Sequence, residues 1–446
     1  MPFENAPGKD RKIAVIGGGI SGMGAARMLA DGMAGPARVT LIEAEPRLGG
    51  HARTVMAGRH GDTPVDTGFI VFNRVNYPHL VELFEGLGVP VAPSNMSFGA
   101  SFGDGRLEYG LSGMAALFAQ RRNLFDPRFL GMVRDILRFN ARALEASREP
   151  GLTIGGLLRR LGTGTWFREH YLLPFSGAIW STPKARILDF PAEAMLRFFD
   201  NHALLDRKGQ HQWYTVRGGS VEYVRRLEAA LRRQGVTIRT GTPVQSVRRG
   251  PAGAQVKLPG APWEHFDQVI FATHSDDTLR LLADPAEDER AALSAIRYQP
   301  NDVLLHSDPR VMPRRRACWS SWVHTEPPGP SSDRIEMSYW MNSLQPIPAD
   351  DPHFVTLNTT RDIPDEKIHD RVTLRHPVYD TAAFEAQRRV AGFNGARNTW
   401  FCGAWMRNGF HEDGLASAVE VVQRLAETRS AGAASLAAAL PGKEVA

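Results

Sequence analysis

Apolar runs and a helical repeat alternate at the start of the chain. Lys12–Ile16 is a short apolar run of the kind that forms a buried strand, and Arg38–Glu43 is a second one. Between them, Met23–Asp31 repeats apolar residues with helical spacing and is followed by Gly32, a residue type that often terminates helices. This order predicts a β-α-β unit and therefore a parallel sheet.

The pattern changes from about Tyr77 to Asp206, where apolar residues recur every three or four positions and predict helices. After about Tyr214, short apolar strands return between helices and Pro-rich turns. The predicted elements are helices over Pro78–Leu87, Leu111–Phe118, Pro127–Glu145, Ala192–Phe199, Ser220–Gln234 and Ala416–Glu427, strands over Val236–Thr240, Asp267–Thr273 and Thr399–Gly403, a hairpin of Val244–Arg249 with Ala254–Leu258, and further strands between Asn301 and Val390.

The composition is that of a globular protein. Of the 446 residues, 43% are apolar and 23% are charged, which excludes a largely disordered chain. No run of about 18 apolar residues occurs, so we expect no transmembrane helix. The polar segment Met1–Arg11 does not have the pattern of a signal peptide. Cys318 and Cys402 fit neither a disulfide framework nor a metal site, which favours a cytoplasmic protein.

The net charge is +5, and all but seven of the 53 basic residues are arginine. The excess of arginine has two interpretations, the codon bias of a GC-rich genome or anionic partners such as lipid headgroups and phosphates. Because nothing resembles a nucleic-acid-binding module, we expect no nucleic-acid partner.

One segment, Arg121–Phe139, mixes arginine with large apolar residues and favours a role at a surface. An amphipathic basic helix can lie on an anionic bilayer, and Arg314–Trp319 adds a second basic patch that contains tryptophan. The alternative is a solvated helix that packs on the core. The charged residues in and next to the segment are Arg121, Arg122, Arg128, Arg134, Arg138 and Arg142 against Asp126 and Asp135.

A glycine-rich turn joins the first predicted strand to the first predicted helix. In Gly17-x-Gly19-x-x-Gly22 the first glycine allows a tight turn, the second lets the backbone approach a pyrophosphate, and the third allows close strand–helix packing. The helix N-terminus supplies N–H groups and a positive dipole. Glu43, at the end of the second strand, can accept hydrogen bonds from a ribose hydroxyl. This context predicts dinucleotide binding rather than a Gly-rich turn in an unrelated unit.

Further motifs favour FAD over a nicotinamide cofactor. Arg47 can neutralise a pyrophosphate, and Gly49–Gly50 allows a second close backbone approach. Val65–Phe69, Phe401–Trp405 and Gly409–Leu415 follow. This set closely resembles the FAD-dependent amine oxidase and phytoene desaturase superfamily, over about residues 11–427.

Within that superfamily, the chain is similar to one bacterial subgroup. The segments that carry this likeness are Val65–Asn73, Gln120–Asn140, Arg197–His202, Thr215–Gly219 and Gly409–Leu415. The subgroup resembles the flavoprotein half of plant cyclopropane fatty acid synthases, and it includes the flavin desaturase of bacterial furan fatty acid synthesis.

The resemblance implies an α/β fold in which a Rossmann-type FAD-binding domain is interleaved with a mixed helical and β-sheet substrate domain, as in amine oxidases. The FAD-binding domain would take residues 1–76, 206–285 and 396–430. The substrate domain would have a mostly helical, membrane-facing part at 77–205 and a β-sheet part at 286–395. Residues 431–446 would form a flexible tail.

The resemblance also assigns residues to FAD. The glycine turn would hold the pyrophosphate, Glu43 the adenosine ribose, and Val244 the adenine through its backbone. Many superfamily members carry arginine where His51 stands. Thr67–Phe69 would pass close to the isoalloxazine, and the last helix would point its N-terminus at the flavin N1/C2 edge, where reduced flavin carries negative charge. The predicted set, without any metal site, is Gly17, Gly19, Ile20, Ser21, Gly22, Glu43, Ala44, Arg47, Gly49, Gly50, His51, Thr67, Gly68, Phe69, Val244, Ala272, Gly403, Gly414 and Leu415.

His411 and Asp413 are the candidate catalytic residues. Histidine titrates in the range useful to a general base, although His411 is equally suited to a structural hydrogen bond in its turn. Asp413 is alternatively a cap of the last helix. His170 and His202 are further candidates.

The two substrate-domain segments are rich in apolar and aromatic residues, which favours a lipophilic substrate, with ordinary core packing as the alternative. Together with this lipophilic character, the subgroup resemblance implies an FAD-dependent enzyme that desaturates a methylated, unsaturated fatty acyl chain, on membrane phospholipid, to a conjugated diene. Such an enzyme would be cytoplasmic or peripheral on the inner face of the membrane. The alternatives are an FAD-dependent amine or amino acid oxidase, a non-catalytic FAD-bearing partner of a lipid methyltransferase, and an NAD-dependent dehydrogenase.

Overall fold

The computed structural model describes residues 10–180, 184–205, 211–329 and 334–439. They fall into two compact units, each built from separate stretches of chain. The first unit contains the residues up to Gly50, Tyr223–Ile296 and the residues from Glu385 onward. The second unit contains His51–Glu222 and Arg297–Phe384. The first boundary between the units follows Gly50, whereas the sequence predicts the first domain boundary after Asn76. The strands between these two positions pair within the second unit.

The elements of the described chain are as follows. The strands are β1 (Arg11–Ile16), β2 (Ala37–Ile42), β3 (Thr54–Ala57), β4 (Thr63–Asp66), β5 (Val71–Asn73), β6 (Val91–Ser94), β7 (Phe98–Phe102), β8 (Leu107–Gly110), β9 (Trp213–Val216), β10 (Thr237–Arg239), β11 (Ser246–Gly250), β12 (Gly253–Lys257), β13 (Glu264–Phe266), β14 (Gln268–Phe271), β15 (Arg297–His306), β16 (Trp322–Glu326), β17 (Met337–Trp340), β18 (Phe354–Leu357), β19 (Ile368–Val378) and β20 (Thr399–Phe401). The α-helices are α1 (Ile20–Ala30), α2 (Pro78–Leu87), α3 (Met114–Leu117), α4 (Pro127–Ala146), α5 (Ile154–Leu161), α6 (Thr165–Phe167), α7 (Leu173–Trp180), α8 (Lys184–Ile187), α9 (Ala192–Asn201), α10 (Val221–Arg233), α11 (Ser275–Leu281), α12 (Glu287–Ala295), α13 (Met341–Leu344), α14 (Thr381–Phe393) and α15 (His411–Ala439).

The first unit is built on a parallel sheet with the strand order β10-β2-β1-β14-β20. In the centre, β1 pairs in parallel with β2 and β14, with Val15 opposite Leu41 and Ile270. The consecutive residues Ala14 and Val15, which point to opposite faces, are both fully buried, as expected for a sheet covered on both faces. The prediction of an α/β fold with a parallel sheet is confirmed. The predicted hairpin is also present, and β13 extends it to three antiparallel strands.

The second unit contains a seven-stranded mixed sheet with the order β19-β15-β18-β17-β16-β7-β8. Its longest pairing joins β15 to β19, from Arg297 opposite Val378 to the irregular register at Leu305/His306. Two smaller antiparallel sheets, β3-β4 and β5-β9-β6, complete the strands of this unit. The mixed sheet next to many helices matches the predicted helical and β-sheet character of the substrate domain.

Three predicted elements differ in the structure. Residues 91–110 lie within the stretch expected to be mostly helical, but they form β6, β7 and β8, because β7 finds a distant parallel partner in β16. The helix predicted over Leu111–Phe118 is confined to α3, which follows Gly113 at a φ of 159°. The last helix begins at His411 instead of Ala416 and continues to Ala439, so residues 431–439 of the expected tail are helical. Residues 440–446 and the N-terminal segment before Asp10 lie outside the described residues.

No helix among the described residues combines the length and the apolar character needed to cross a bilayer.

Candidate functional site

The glycine turn after β1 is tightly packed. Gly17 has a φ of +107°, and a Cβ there would lie 2.6 Å from the carbonyl oxygen of Ala272. A Cβ on Gly22 would overlap the carbonyl oxygen of Gly17. Both positions therefore require glycine, the first for its backbone conformation and the second because α1 begins directly against the turn.

Gly19, by contrast, faces open space. A Cβ on this residue would meet no atom within 4 Å, and its backbone is extended. The next residues, Ile20, Ser21 and Gly22, form the first turn of α1, which contains no acidic residue. The first N–H groups of any helix have no acceptor within the helix. The open space at Gly19 and these N–H groups fit a phosphate group.

Glu43 links the end of β2 to the glycine turn. Its Oε2 accepts a hydrogen bond of 2.5 Å from the Gly18 N–H, and its Oε1 accepts one of 2.8 Å from the Glu45 N–H. An ionised carboxylate has about four acceptor positions. Glu43 therefore keeps the capacity to accept a hydroxyl of a ribose next to the turn. Ala44, between the two glutamates, is exposed.

The second glycine pair closes onto the first turn. The Gly49 N–H donates to the Gly18 carbonyl at 2.8 Å, and a Cβ on Gly50 would lie 3.2 Å from the Gly19 Cα. Arg47 donates to the Gly50 carbonyl at 2.9 Å and pairs with Glu45 at 3.1 Å. The structure thus brings Gly49 and Gly50 next to Gly18 and Gly19, with Arg47 bound to Gly50.

Two more predicted residues lie around this turn. The segment before Val244 is fixed to the β2 end, because the N–H groups of Gly241 and Thr242 donate to the carbonyls of Glu45 and Glu43 at 2.7 and 2.9 Å. Val244 is half-buried. Ala272 follows β14, and its N–H donates to the Ile16 carbonyl at 2.7 Å.

The N-terminus of α15 lies beside the N-terminus of α1. A Cβ on Gly414 would lie 2.8 Å from the Ser21 Oγ, and a Cβ on Gly24 would overlap the Leu415 side chain. Ser417, one turn into α15, accepts a hydrogen bond of 2.9 Å from the Gly403 N–H. The glycines at these positions allow two helix N-termini, each with its positive dipole end, to converge.

The candidate catalytic residues occupy the first turn of α15. The Tyr223 hydroxyl and the His411 Nε2 form a hydrogen bond of 2.9 Å, and the Tyr223 ring is fully buried. Asp413 accepts a hydrogen bond of 2.9 Å from the Phe410 N–H just before the helix. Its burial raises the pKa of this carboxyl to about 6. Asp413 thus caps the helix from within its first turn, and it is not the residue that precedes the helix.

The predicted flavin-facing segment forms a separate cluster in the second unit. The Phe69 N–H donates to the His51 carbonyl at 2.8 Å, and a Cβ on Gly68 would overlap the same oxygen. The Arg53 guanidinium contacts the Thr67 Oγ1 at 3.1 Å and holds Asp370 at 2.6 and 3.0 Å. Thr67 is buried, whereas Gly68 and Phe69 are half-buried.

Asp66, next to this segment, is a buried group that the sequence did not identify as part of a site. It is fully buried and accepts hydrogen bonds from the Thr54 hydroxyl at 2.6 Å, the Ser220 N–H at 2.8 Å and the Gln345 amide at 3.0 Å. Burial outweighs these bonds and raises the pKa of Asp66 to about 6. The signal in the sequence was an acidic residue at the end of a short strand, next to the buried Val65.

The remaining histidine candidates lie in the second unit. His202 stacks on Phe198 with ring centroids 4.0 Å apart, and burial lowers its pKa to about 4. His170 stacks on Trp166 at 4.5 Å, and burial lowers its pKa as well. His376, which the sequence did not single out, lies 5.7 Å from the His51 ring, and burial together with His51 lowers its pKa to about 3.

The first unit therefore brings together the glycine turns, Glu43, Arg47, Val244, Ala272, Gly403 and the start of α15. The second unit brings together His51 and Thr67–Phe69.

A family model and several solved structures are similar to this chain. A family model described as flavin containing amine oxidoreductase matches residues 20–375. The fold is similar to that of a CLA-producing fatty acid isomerase from P. acnes, with a TM-score of 0.66 at 17% identity, covering 94% of this chain and 99% of that chain. It is also similar to cyclohexylamine oxidase from Brevibacterium oxydans IH-35A, with a TM-score of 0.65 at 15% identity, covering 94% and 100%. A putrescine oxidase mutant gives a TM-score of 0.66 at 16% identity, covering 95% and 99%. No curated protein matches the sequence significantly.

Proposed function

Because the chain belongs to the flavin-containing amine oxidoreductase family and is an FAD-dependent oxidoreductase, we propose that it desaturates a fatty acyl chain. The substrate is a methylated, unsaturated chain, carried on membrane phospholipid, and the product is a conjugated diene. A hydride and a proton leave adjacent or vinylogous carbons, and the hydride accounts for both electrons. Our candidate for the final electron acceptor is O₂.

Bound FAD supplies the hydride acceptor, its N5 atom. The residues of this chain bind and orient the cofactor. The N–H groups of Ile20–Gly22 and the open space at Gly19 suit the pyrophosphate, and Glu43 suits the adenosine ribose. The start of α15 suits the electron-rich flavin edge, since a helix N-terminus stabilises negative charge.

The observation that carries the choice of substrate is the aromatic interior of the second unit. Tyr171 stacks on Phe175 at 5.8 Å, Phe175 contacts Phe199 at 5.7 Å, and Trp180 contacts Phe199 and Phe198 at 6.2 and 4.9 Å. Phe175 is half-buried, so the array reaches the boundary of the core. Such an environment excludes water and suits an alkyl chain better than a polar group.

The buried carboxylates of the second unit support the same choice. An amine oxidase needs a site that favours an ammonium or amine group, and a free buried carboxylate would provide one. Among the described residues of this unit, five carboxylates are buried, and each is instead held by protein partners: Asp66 by Thr54, Glu108 by Arg315, Asp135 by the Gly164 N–H, Asp308 by Arg310 and Glu336 by Thr360.

A structural neighbour adds support at the level of the fold. The fatty acid isomerase from P. acnes is an enzyme that acts on fatty acids, so this architecture accommodates an acyl substrate. Its 17% identity shows the fold alone.

The test is anaerobic incubation of the purified holoenzyme with a phospholipid that carries a methylated, unsaturated chain. We expect the flavin absorbance to bleach and mass spectrometry to detect a lipid lighter by two hydrogens. Bleaching by an amine or amino acid but not by lipid would replace this proposal with an amine oxidase. A yellow protein that no substrate bleaches, but that activates a lipid methyltransferase, would make it a non-catalytic partner.

A further inference from the structure

Exposed apolar side chains are concentrated in one part of the second unit. Among the described residues, eight large apolar side chains are exposed, and five of them lie between Met114 and Leu137. The most exposed is Phe125, at 84%. Leu124, Leu130 and Leu137 are also exposed, at 46%, 42% and 39%. An apolar concentration of this kind marks an interaction surface.

The turn that carries Phe125 is fixed by buried polar groups. Asn123 is buried and donates to the Glu108 carbonyl at 3.1 Å. Gln120 is buried as well and accepts from the Glu108 N–H at 2.9 Å. These two buried side chains fix the conformation of the turn. Leu124 and Phe125 are therefore exposed in a conformation that hydrogen bonds to the protein core maintain.

The helix that follows, α4, also exposes apolar side chains on its outer face. Phe129, Met132 and Phe139 bury the inner face of α4. At about 100° per residue, Leu130 and Leu137 fall on the opposite face, together with Arg134. Arg134 has a 70% exposed side chain. Leu124 and Phe125 lie just before Asp126, the N-cap residue of the helix, and Leu130 lies in its first turn.

Arginines border these apolar residues. Arg121 and Arg122 are exposed in the turn before Leu124, and Arg134 lies between Leu130 and Leu137. The acidic residues of the segment are already engaged. Asp126 pairs with Arg128 at 3.2 Å, and Asp135 is buried and accepts from the Gly164 N–H at 2.8 Å. The outward charge of the segment is therefore positive.

We propose that this docking face, formed by Arg121, Arg122, Leu124, Phe125, Leu130, Arg134 and Leu137, binds the surface of an anionic lipid bilayer. The apolar side chains enter the acyl boundary while the arginines remain at the phosphate level. The positive charge favours anionic lipid over a second copy of this face, which would place arginines against arginines. The inference goes beyond the proposed function, since binding to vesicles needs neither FAD nor turnover.

The experiment measures sedimentation of the holoenzyme with vesicles of phosphatidylcholine alone or with phosphatidylglycerol. We expect binding to the anionic vesicles, weakened by salt because exposed charges are screened. Phe125→Ser should lower the partition coefficient about tenfold, from the loss of one inserted aromatic ring. Arg121→Gln/Arg122→Gln should lower it about fivefold for each arginine.

Matched variants control for the loss of any exposed apolar or basic residue. Val75 is 62% exposed outside the docking face, so Val75→Ser should bind as the wild type does. Arg388 and Arg389 are consecutive exposed arginines in the first unit, so Arg388→Gln/Arg389→Gln should also bind normally.

Several outcomes would overturn the proposal. These are no sedimentation with anionic vesicles, equal binding to phosphatidylcholine alone, or normal binding by Phe125→Ser. A dimer in solution that Phe125→Ser dissociates, without lipid binding, would assign the face to self-association instead. Activity on detergent-dispersed acyl substrate is measured separately, so failure of docking and failure of the proposed reaction are distinguishable.

Discussion

The Glu43 carboxylate accepts a hydrogen bond of 2.5 Å from the Gly18 N–H. This bond links the end of β2 to the glycine turn that follows β1. One oxygen of this side chain therefore fixes the shape of the turn while the other holds the Glu45 N–H. Glu43 therefore stabilises the turn through its own hydrogen bonds, independently of a bound ribose.

Glu43→Gln should weaken FAD binding about tenfold or more, because a charged hydrogen bond is worth about 1.5–3 kcal/mol and glutamine loses one acceptor oxygen. The measurement is titration of the apoprotein with FAD. Glu82→Gln is the matched control, since Glu82 is exposed and belongs to α2 in the second unit. Equal affinities of the two variants would contradict this role of Glu43.

Gly19→Ala should leave the fold intact and lower FAD affinity at least about tenfold. The methyl group meets no protein atom within 4 Å, so the apoprotein tolerates it, but it occupies the space that suits the pyrophosphate. Thermal unfolding of the apoprotein and FAD titration separate the two effects. Gly131→Ala, also without close contacts, should change neither property adversely. Normal FAD binding by Gly19→Ala would contradict the assignment of the pyrophosphate to this turn.

Asp66 should make stability depend on pH. Its pKa is about 6 when folded against an ordinary value of 3.8, so its contribution is fully present below pH 3.8 and is lost as the pH rises through about 6. This difference corresponds to about 3 kcal/mol. Relative to Asp66→Asn, the wild-type free energy of unfolding should therefore fall by up to that amount between about pH 4 and pH 7.

Denaturant unfolding of both proteins across this pH range measures the effect. Asp62→Asn, at an exposed aspartate four residues earlier, should follow the wild-type curve. Parallel curves for the wild type and Asp66→Asn would show that the buried carboxyl titrates normally.

His411→Asn should slow substrate-dependent flavin reduction at least about 100-fold, if the imidazole removes the substrate proton. Tyr223→Phe should slow it less and should shift the pH profile, because it removes the hydroxyl that holds Nε2 at 2.9 Å but keeps the base. Anaerobic stopped-flow absorbance measures both rates, with the exposed His265→Asn as control. If both variants reduce the flavin at the wild-type rate but unfold at a lower temperature, the Tyr223–His411 hydrogen bond has a structural role only.

The parts of the fold that could be predicted from the sequence are those set by local patterns. Lys12–Ile16, Arg38–Glu43 and the glycines between them form a contiguous unit, so its strands, helix and turn were readable from spacing alone. β7 was missed because its strand character depends on pairing with β16, more than two hundred residues later. The first turn of α15 was missed because it is polar and is stabilised by the Asp413 cap, not by apolar periodicity.

The candidate site divides in the same way. The glycine turns and Glu43 are encoded within one segment and were found. The partners of Asp66, namely Thr54, Ser220 and Gln345, come from three distant segments, and no local pattern indicates that they meet.

The parallel sheet of the first unit has a consequence for biosynthesis. Its neighbouring strands β1, β14 and β20 come from three separated parts of the chain, and β20 ends only at Phe401. As the ribosome releases the chain, β1 and β2 emerge long before the strands that flank them, and closing such long loops is entropically slow. The nascent chain therefore holds an incomplete sheet until β20 has emerged, and an unpaired strand edge of this kind is prone to aggregation.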